Sequence, residues 1–180
     1  MHTPVLLKEI IALLKIRDGD VICDLTLGGG GHSKEILNSL KKGYLIVFDQ
    51  DKRAIDEFED WLEKNKFSKK SKGEFAKGGV KVKTICDNFE NIDIYVKKAG
   101  ANKILADLGW SSDQLERIEG LSYLISNSKL DLRLGSNLGV KGSDLLNIWD
   151  QKTLERMFGE YADFNFFESK ALAKAVIEKR

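Results

Sequence analysis

Apolar residues in the first half of the chain follow two spacings, one helical and one typical of buried strands. The helical spacing occurs in three segments, at residues 5–14, 33–40 and 52–64. Continuous apolar runs occur in four segments, at residues 21–25, 44–48, 80–86 and 103–108. Such runs predict strands that are buried on both faces. The order of the segments predicts an α/β fold with a parallel sheet of four strands.

The pattern changes after Gly109, where glycine, serine and asparagine become frequent and no further strand is predicted. Beyond this stretch, helices are predicted at residues 143–149, with Ser143 as the N-cap, and at residues 153–158 and 166–179. We therefore predict two domains. Residues 1–112 form the first part of an α/β core, and residues 113–180 form a mostly helical domain.

The stretch 64–83 contains many lysines and a single acid, Glu74. Within it, residues 67–79 lack any periodicity, which predicts a mobile surface loop. The lysines could contact phosphates. A solvated basic loop is an equally good interpretation.

The composition is that of a globular protein with a formal net charge of +1. A polyanionic partner would therefore need a local basic patch. No apolar run approaches the ~20 residues that span a bilayer, and the N-terminus lacks a secretory pattern. We therefore expect a cytoplasmic protein with no membrane partner. Cys23 and Cys86 lie in apolar runs, and we expect both to be reduced core thiols without a metal or redox role.

A glycine-rich turn follows the first predicted strand and opens the next helix. Its sequence is Asp24-Leu-Thr-Leu-Gly-Gly-Gly-Gly-His-Ser33. Glycines at such a turn let the chain bend sharply and let a ligand approach the backbone. The start of the helix also offers unpaired N–H groups. Taken alone, the glycine run is also compatible with a simple tight loop.

Asp49 ends the second predicted strand. A carboxylate at this position can accept hydrogen bonds from two ribose hydroxyls. Together with the glycine turn, it predicts a nucleoside-cofactor pocket at the carboxyl edge of the sheet. NAD(P) remains an alternative cofactor. However, Ser33 stands where the dinucleotide fingerprint has Gly or Ala, and Asp24 suits a cationic sulfonium better than a pyrophosphate.

The segment Asp107-Leu-Gly-Trp-Ser-Ser112 closes the fourth predicted strand. Catalytic groups of open α/β sheets lie in loops beyond the strand ends. A carboxylate that accepts hydrogens from an exocyclic amine would localise its lone pair, and an aromatic ring could stack on a flipped-out base. We predict Asp107 and Trp110 as catalytic residues. The alternatives are that Asp107 caps a turn and that Trp110 fills the core.

These motifs resemble those of the bacterial small-subunit ribosomal RNA (cytosine-N4)-methyltransferases. The similarity lies in six stretches that occur in family order: His2–Leu7, Asp24–Ser33, Phe48–Ile55, Asn88–Phe89, Leu105–Leu115 and Leu130–Arg133. The resemblance implies a Rossmann-like S-adenosylmethionine-dependent methyltransferase core with a mostly helical inserted domain. It also implies N4-methylation of a cytosine in small-subunit ribosomal RNA.

Carried over to the matching positions, the resemblance implies that S-adenosylmethionine contacts Gly30, Gly31, His32, Asp49, Phe89, Asp107 and Gln114. In this assignment Asp49 holds the ribose and Phe89 packs near the adenine. The methyl group would pass directly to the amine, so no metal ion or covalent intermediate is expected.

The chain departs from the family pattern at Glu119–Tyr123, at Asp131–Gly135 and around residues 159–166, and its lysine-rich loop is longer. These differences bear on RNA contacts rather than on the cofactor pocket. Family members also continue beyond the helix that ends at Arg180 and supply further strands. Four strands alone would leave an exposed edge and an uncovered apolar face. We therefore expect a fragment, a truncated gene or one half of a two-chain enzyme.

The expected partner is small-subunit ribosomal RNA or the assembled subunit. A homodimer or a complementing C-terminal segment is a further expectation. The alternative functions are a catalytically silent fragment that binds cofactor or RNA and, less favoured, an NAD(P)-binding oxidoreductase.

Overall fold

The computed structural model describes residues 4–96, 100–109, 120–121, 127–133 and 139–180. The chain divides into two compact units, Met1–Asp113 and Gln114–Arg180. The first unit contains a sheet with helices. The described part of the second unit is helical.

The first unit contains, in chain order, α1 (Leu7–Leu14), β1 (Val21–Asp24), α2 (Gly31–Ser39), β2 (Lys42–Asp49), α3 (Lys52–Lys64), β3 (Ser68–Ser71), β4 (Glu74–Lys77), β5 (Gly79–Cys86), a short 3-10 helix (Phe89–Asn91), α4 (Ile92–Val96) and β6 (Lys103–Leu105). The second contains α5 (Gly142–Ile148), α6 (Gln151–Tyr161) and α7 (Phe166–Lys179). Within the described ranges, none of these helices is long and apolar enough to cross a membrane.

The six strands form one sheet in the order β3-β4-β5-β2-β1-β6. The strands β5, β2, β1 and β6 are parallel, whereas β3 and β4 pair antiparallel at one side. The parallel part, β5-β2-β1-β6, has the 3-2-1-4 order of a Rossmann sheet, in which the strand order reverses between β1 and β6. Ligands of such sheets bind in the crevice beyond the carboxyl ends of the strands at this reversal. The predicted Rossmann-like α/β class is confirmed.

The strand β2 is buried on both faces. Leu45 and Val47 belong to a core cluster on the face covered by α2 and α3. Ile46 and Phe48 point to the opposite face, where they cluster with Val96 of α4. This two-sided burial explains why the strand has a continuous apolar sequence rather than an alternating one.

The predicted parallel strands are confirmed, but the first ends at Asp24 rather than at residue 25 and the last is shortened further. The last of them ends at Leu105 rather than at Leu108. The backbone N–H of Asp107 donates to Thr26 Oγ1 at 2.7 Å, so the chain leaves the strand pairing at this point. The helix α4 was not predicted, because five residues give too short a period to recognise.

The prediction of a mobile loop at residues 67–79 is wrong. This segment forms the β3–β4 hairpin, which extends the sheet from four strands to six. Two phenylalanines anchor it in the core, since Phe67 is 8% exposed and Phe75 is 1% exposed. The hairpin turns at Lys72 and Gly73, and Gly73 takes a positive φ of 69° that favours glycine. Burial of two aromatic rings thus outweighs the polar composition.

The three helices of the second unit are confirmed, but two begin earlier than predicted. The helix α5 begins at Gly142, where the N–H of Lys141 donates to Asp144 Oδ2 at 2.9 Å, so Ser143 is not the N-cap. Asp150 caps α6 by accepting a hydrogen bond from the N–H of Thr153 at 2.8 Å. The helix α7 has the predicted bounds.

Candidate active site

The strand β1 ends at Asp24, which is 1% exposed. Ser33 Oγ donates to Asp24 Oδ2 at 2.6 Å, and the N–H of Thr26 donates to Asp24 Oδ1 at 3.2 Å. Burial raises the pKa of Asp24, while the hydrogen bond from Ser33 opposes that rise. One buried carboxyl thus connects the end of β1 to the first turn of α2 and fixes the loop between them.

Within that loop, Gly28 and Gly29 adjoin open space. A Cβ placed on either residue would meet nothing within 4 Å, and Gly28 has a positive φ of 50°. A ligand can therefore approach the backbone here without displacing protein atoms. The sequence assignment did not include these two glycines. The signal for Gly28 is its place at the head of the run, where the dinucleotide fingerprint has its first glycine.

The assigned pair, Gly30 and Gly31, are surrounded by protein atoms instead. A Cβ on Gly30 would lie 3.0 Å from the Phe58 ring, and one on Gly31 would lie 2.0 Å from Pro4 Cγ. Glycine at these two positions is therefore required by packing at the start of α2. The structure does not test their assignment as cofactor contacts through the backbone.

Asp49 lies directly against the glycine turn. The N–H of Gly28 donates to Asp49 Oδ2 at 2.8 Å, and the N–H of Asp51 donates to Oδ1 at 2.8 Å. Burial raises the pKa of Asp49, and the two backbone hydrogen bonds oppose that rise. A carboxylate has about four lone-pair positions, so Asp49 can accept further hydrogen bonds from a ligand.

His32 is 6% exposed, and its Nε2 lies 3.1 Å from the carbonyl oxygen of Val5. The N-terminal segment therefore crosses the start of α2, where Pro4 also packs against Gly31. This contact fixes the orientation of the His32 ring against the N-terminal segment.

At the end of β5, Phe89 begins the 3-10 helix and is 37% exposed. Asn88 Oδ1 accepts a hydrogen bond from the N–H of Glu90 at 3.0 Å. The hydroxyl of Tyr95 donates to Asp87 Oδ2 at 2.8 Å, which lowers the pKa of Asp87. These contacts hold the backbone around Phe89 and leave its ring accessible.

At the end of β6, Asp107 is exposed. Its N–H donates to Thr26 Oγ1 at 2.7 Å, which joins the loop after β6 to the loop after β1. Asp107 therefore lies where the strand order reverses, between β1 and β6. Trp110 and Gln114, the other residues assigned to this segment, lie outside the described residues.

The sheet order brings these groups into a row along one edge. From β5 to β6 the row consists of the Phe89 ring, the Asp49 carboxylate, the open backbone of Gly28 and Gly29, and the Asp107 carboxylate. Such a row offers an apolar surface, hydrogen-bond acceptors and accessible backbone. In the described part of the chain, no group of three or more His, Cys, Asp or Glu residues could hold a metal ion.

The two thiols differ in their surroundings. Cys23 is fully buried, and burial together with the charge of Asp24 raises its pKa to about 11. The prediction of a core thiol is wrong for Cys86, which is exposed at the last position of β5. Burial of part of its side chain also raises the pKa of Cys86. Neither thiol is therefore activated as a nucleophile.

The sequence matches a family model over its whole length and is similar to curated relatives over nearly all of its residues. Residues 1–180 match the MraW methylase family. Ribosomal RNA small subunit methyltransferase H of Dictyoglomus thermophilum is 34% identical over 182 residues, which cover 100% of this chain and 57% of the relative. The protein of the same name from Clostridioides difficile is 37% identical, over 99% of this chain and 54% of the relative.

This chain spans about half the length of the curated relatives it matches. Among solved structures, an rRNA methylase from Streptococcus thermophilus is 23% identical, over 67% of this chain and 64% of that one, with a TM-score of 0.43. That score adds nothing to the match with the family model. The full-length match and the level of identity together show that this chain belongs to the MraW methylase family.

Proposed function

We propose that this chain binds S-adenosylmethionine at the carboxyl edge of its sheet and methylates N4 of a cytosine in small-subunit ribosomal RNA. One observation carries the proposal. The Asp49 carboxylate accepts the N–H of Gly28 at 2.8 Å, beside two glycines that adjoin open space. Membership of a methylase family and the names of the relatives support the class of reaction and of substrate.

The residues at this edge fit the cofactor in chemical type. The free lone pairs of Asp49 suit the two ribose hydroxyls. Gly28 and Gly29 allow close approach to the backbone, and the half-exposed ring of Phe89 suits the adenine. When bound, S-adenosylmethionine supplies a methyl group activated by a sulfonium. Burial strengthens the hydrogen bonds of Asp49 with a bound ligand, because the local dielectric is low.

On the other side of the crevice, Asp107 would act on the base. An exocyclic amine is a weak nucleophile because its lone pair is delocalised into the ring. A carboxylate that accepts the amine hydrogens localises this pair and orients it, so catalysis comes from positioning and fixed charge. Asp107 is exposed, and its backbone N–H donates to Thr26 Oγ1. Stacking of the base on Trp110 and a contact from Gln114 remain predictions from the family resemblance.

A methyl-transfer assay tests this function. The chain would be incubated with isotope-labelled S-adenosylmethionine and small ribosomal subunits that lack the modification. We expect labelled N4-methylcytosine by mass spectrometry, with strong loss for Asp107→Asn and no loss for Asp56→Asn. Asp56 is an exposed aspartate that pairs with Lys52 on α3, so it is a matched control.

A second candidate function is a catalytically silent chain that binds the cofactor or RNA. The observation that favours it is that the chain spans about half the length of its relatives. Calorimetric binding of S-adenosylmethionine without any labelled product would support this candidate. Absence of S-adenosylmethionine binding would contradict the methyltransferase function, and absence of RNA binding as well would contradict this candidate.

Ribosomal RNA as the substrate would place the activity in the cytoplasm and make the ribosomal subunit or its RNA the partner. A homodimer or a complementing C-terminal segment stays a prediction. Light scattering of the purified chain at several concentrations tests the homodimer, because a monomer at all concentrations would contradict it.

A further inference from the structure

A cavity of about 310 Å³ lies at the amino end of the parallel strands, at the opposite edge of the sheet from Asp49. The last turns of α2 and α3 form one side, and the hairpin with the start of β5 forms the other. Its lining includes two aromatic rings, Trp61 and Phe67, and two lysines, Lys41 and Lys77. The amides of Asn38 and Asn65 complete its polar groups.

The chemistry of this cavity favours a flat ring that carries an adjacent negative charge. The residues that line it, all in the described part of the chain, include no acid. Neither Lys41 nor Lys77 forms an ion pair with any other described residue. The ammonium of Lys77 lies 5.5 Å from the centre of the Phe67 ring, so positive charge and aromatic surface occur together. Proteins that bind single-stranded nucleic acid combine these two features.

The surroundings of the cavity are also basic. The lysine-rich stretch 64–83 folds into the hairpin beside it and contains Glu74 as its single acid. Lys69 is neutralised by Glu59 at 3.0 Å, but other lysines of the stretch remain exposed to solvent. A chain with a net charge of only +1 therefore has the local basic patch that a polyanion requires.

The cavity is connected to the glycine turn by a third lysine. Lys34 Nζ donates to the carbonyl oxygen of Gly29 at 2.9 Å and lies 5.7 Å from the centre of the Trp61 ring. The nine residues of α2 lie between the two sites, which corresponds to about 13 Å. The phosphates of one stacked strand advance by about 3.4 Å along the helix axis, so a few nucleotides cover this distance.

We propose that this cavity binds one nucleotide of the single-stranded RNA substrate, at a position outside the target base. The base lies against Trp61, the phosphate lies between Lys41 and Lys77, and the largely buried Phe67 ring forms part of the cavity wall. The inference rests on the proposed function, since it takes the substrate to be RNA. It adds a second contact that holds the strand in place without reading its sequence.

Fluorescence anisotropy with a labelled single-stranded oligocytidine of about 12 nucleotides tests the proposal. The double variant Lys41→Ala with Lys77→Ala is compared with Lys52→Ala with Arg53→Ala. The control removes two exposed cations that already pair with Asp56 and Glu57 on α3. We expect binding about tenfold weaker in the first variant, close to wild type in the control, and a salt dependence lower by about 0.7 for each lost phosphate contact.

A cross-linking measurement separates the cavity from diffuse attraction by the lysines. Thiouridine-containing RNA would be irradiated with the full chain and the cross-linked peptides identified by mass spectrometry. We expect cross-links in peptides that contain Trp61 or Phe67. Cross-links found only elsewhere, equal affinities of the two double variants, or no RNA binding by the wild type would each overturn the proposal.

Calorimetry with S-adenosylmethionine on the same samples distinguishes a failure of the cavity proposal from a failure of the proposed function. If wild type and both variants bind the cofactor but the lysine pair makes no difference to RNA affinity, only the cavity proposal fails. If the wild type binds no cofactor, the proposed function itself fails.

Discussion

The two sides of the crevice at the strand reversal are built in different ways. On the side of β1 and β2, the carboxyls of Asp24 and Asp49 are withdrawn from solvent and each accepts at least two hydrogen bonds from nearby residues. On the side of β6, Asp107 is exposed, and its backbone N–H donates to Thr26 Oγ1, which links its loop to the loop after β1.

This difference indicates which part of the proposed function is preorganised by the local sequence. Within the described residues, the groups that donate to the Asp24 and Asp49 carboxylates lie between residues 26 and 51, so the proposed cofactor half of the site forms with the first two α/β units. The half that would act on the base depends on an exposed loop. We therefore expect substitutions on the first side to alter cofactor binding and stability, and substitutions on the second to alter catalysis.

The largest expected effect is that of Asp49→Ala. Hydrogen bonds to charged groups contribute about 1.5–3 kcal/mol, so loss of the carboxylate should weaken binding of S-adenosylmethionine by about 10-fold to 150-fold. Isothermal calorimetry measures the change, with Asp56→Ala on the exposed face of α3 as the control. Wild-type affinity in Asp49→Ala would show that this side does not hold the cofactor.

A smaller effect is expected for Ser33→Ala. The variant removes the donor at 2.6 Å from Asp24 Oδ2 and leaves a buried acceptor without its partner. The expected cost to the free energy of unfolding is about 1–3 kcal/mol. Ser39→Ala on the same helix is the control, since the hydroxyl of Ser39 is exposed and donates to Glu35 O. Equal urea midpoints for the two variants would contradict the bracing role of Asp24.

Thr26→Val tests the hydrogen bond that connects the loop after β6 to the loop after β1. It keeps the shape of the side chain and removes the oxygen that accepts the N–H of Asp107. The expected loss of stability is about 0.5–1.5 kcal/mol. Single-turnover methyl transfer should fall more than cofactor affinity, because the loop after β6 becomes less ordered while Asp49 is unchanged. The comparison between the two sides fails if affinity falls and the transfer rate does not.

The smallest expected effect is a change in how the free energy of unfolding depends on pH. Burial raises the pKa of Asp24, so the folded chain holds this proton more tightly than the unfolded chain does. The stability gained from the proton is fully present below the unfolded value, near 3.8, and is lost as the pH rises through the raised folded value. Asp24→Asn removes this titration. The stability of wild type relative to this variant should therefore decrease with rising pH in urea unfolding, and an increase would contradict the effect of burial.

The sequence predicted the parallel strands well because their apolar runs are long and buried on both faces. In β2, Leu45, Ile46, Val47 and Phe48 are all buried, and their short β-branched and aromatic run favours a strand over a helix. The hairpin was missed because lysines surround its two buried phenylalanines. Its only local signal is the Lys72–Gly73 turn, which is too short to identify two strands of four residues each.

Within the site, sequence order indicated which strand ends meet but not which atoms face open space. Asp49 and the glycine run were predicted to lie together because both follow adjacent parallel strands. Which of the four glycines is open depends on Phe58 and Pro4, which come from distant parts of the chain. Likewise, Cys86 is exposed because it is the last residue of its strand, although its run is apolar. Three-dimensional packing decides both points.

The thermal midpoint of the 180-residue chain is the most direct test of whether S-adenosylmethionine binds at the edge formed by Asp49 and the glycine run. The midpoint is measured with S-adenosylmethionine and, separately, with NAD⁺. A ligand that binds only the folded state stabilises it by about 2.7 kcal/mol at a hundred times its dissociation constant. We predict a rise in the midpoint with S-adenosylmethionine and none with NAD⁺. No rise with S-adenosylmethionine, or a rise with NAD⁺ alone, would contradict the assignment.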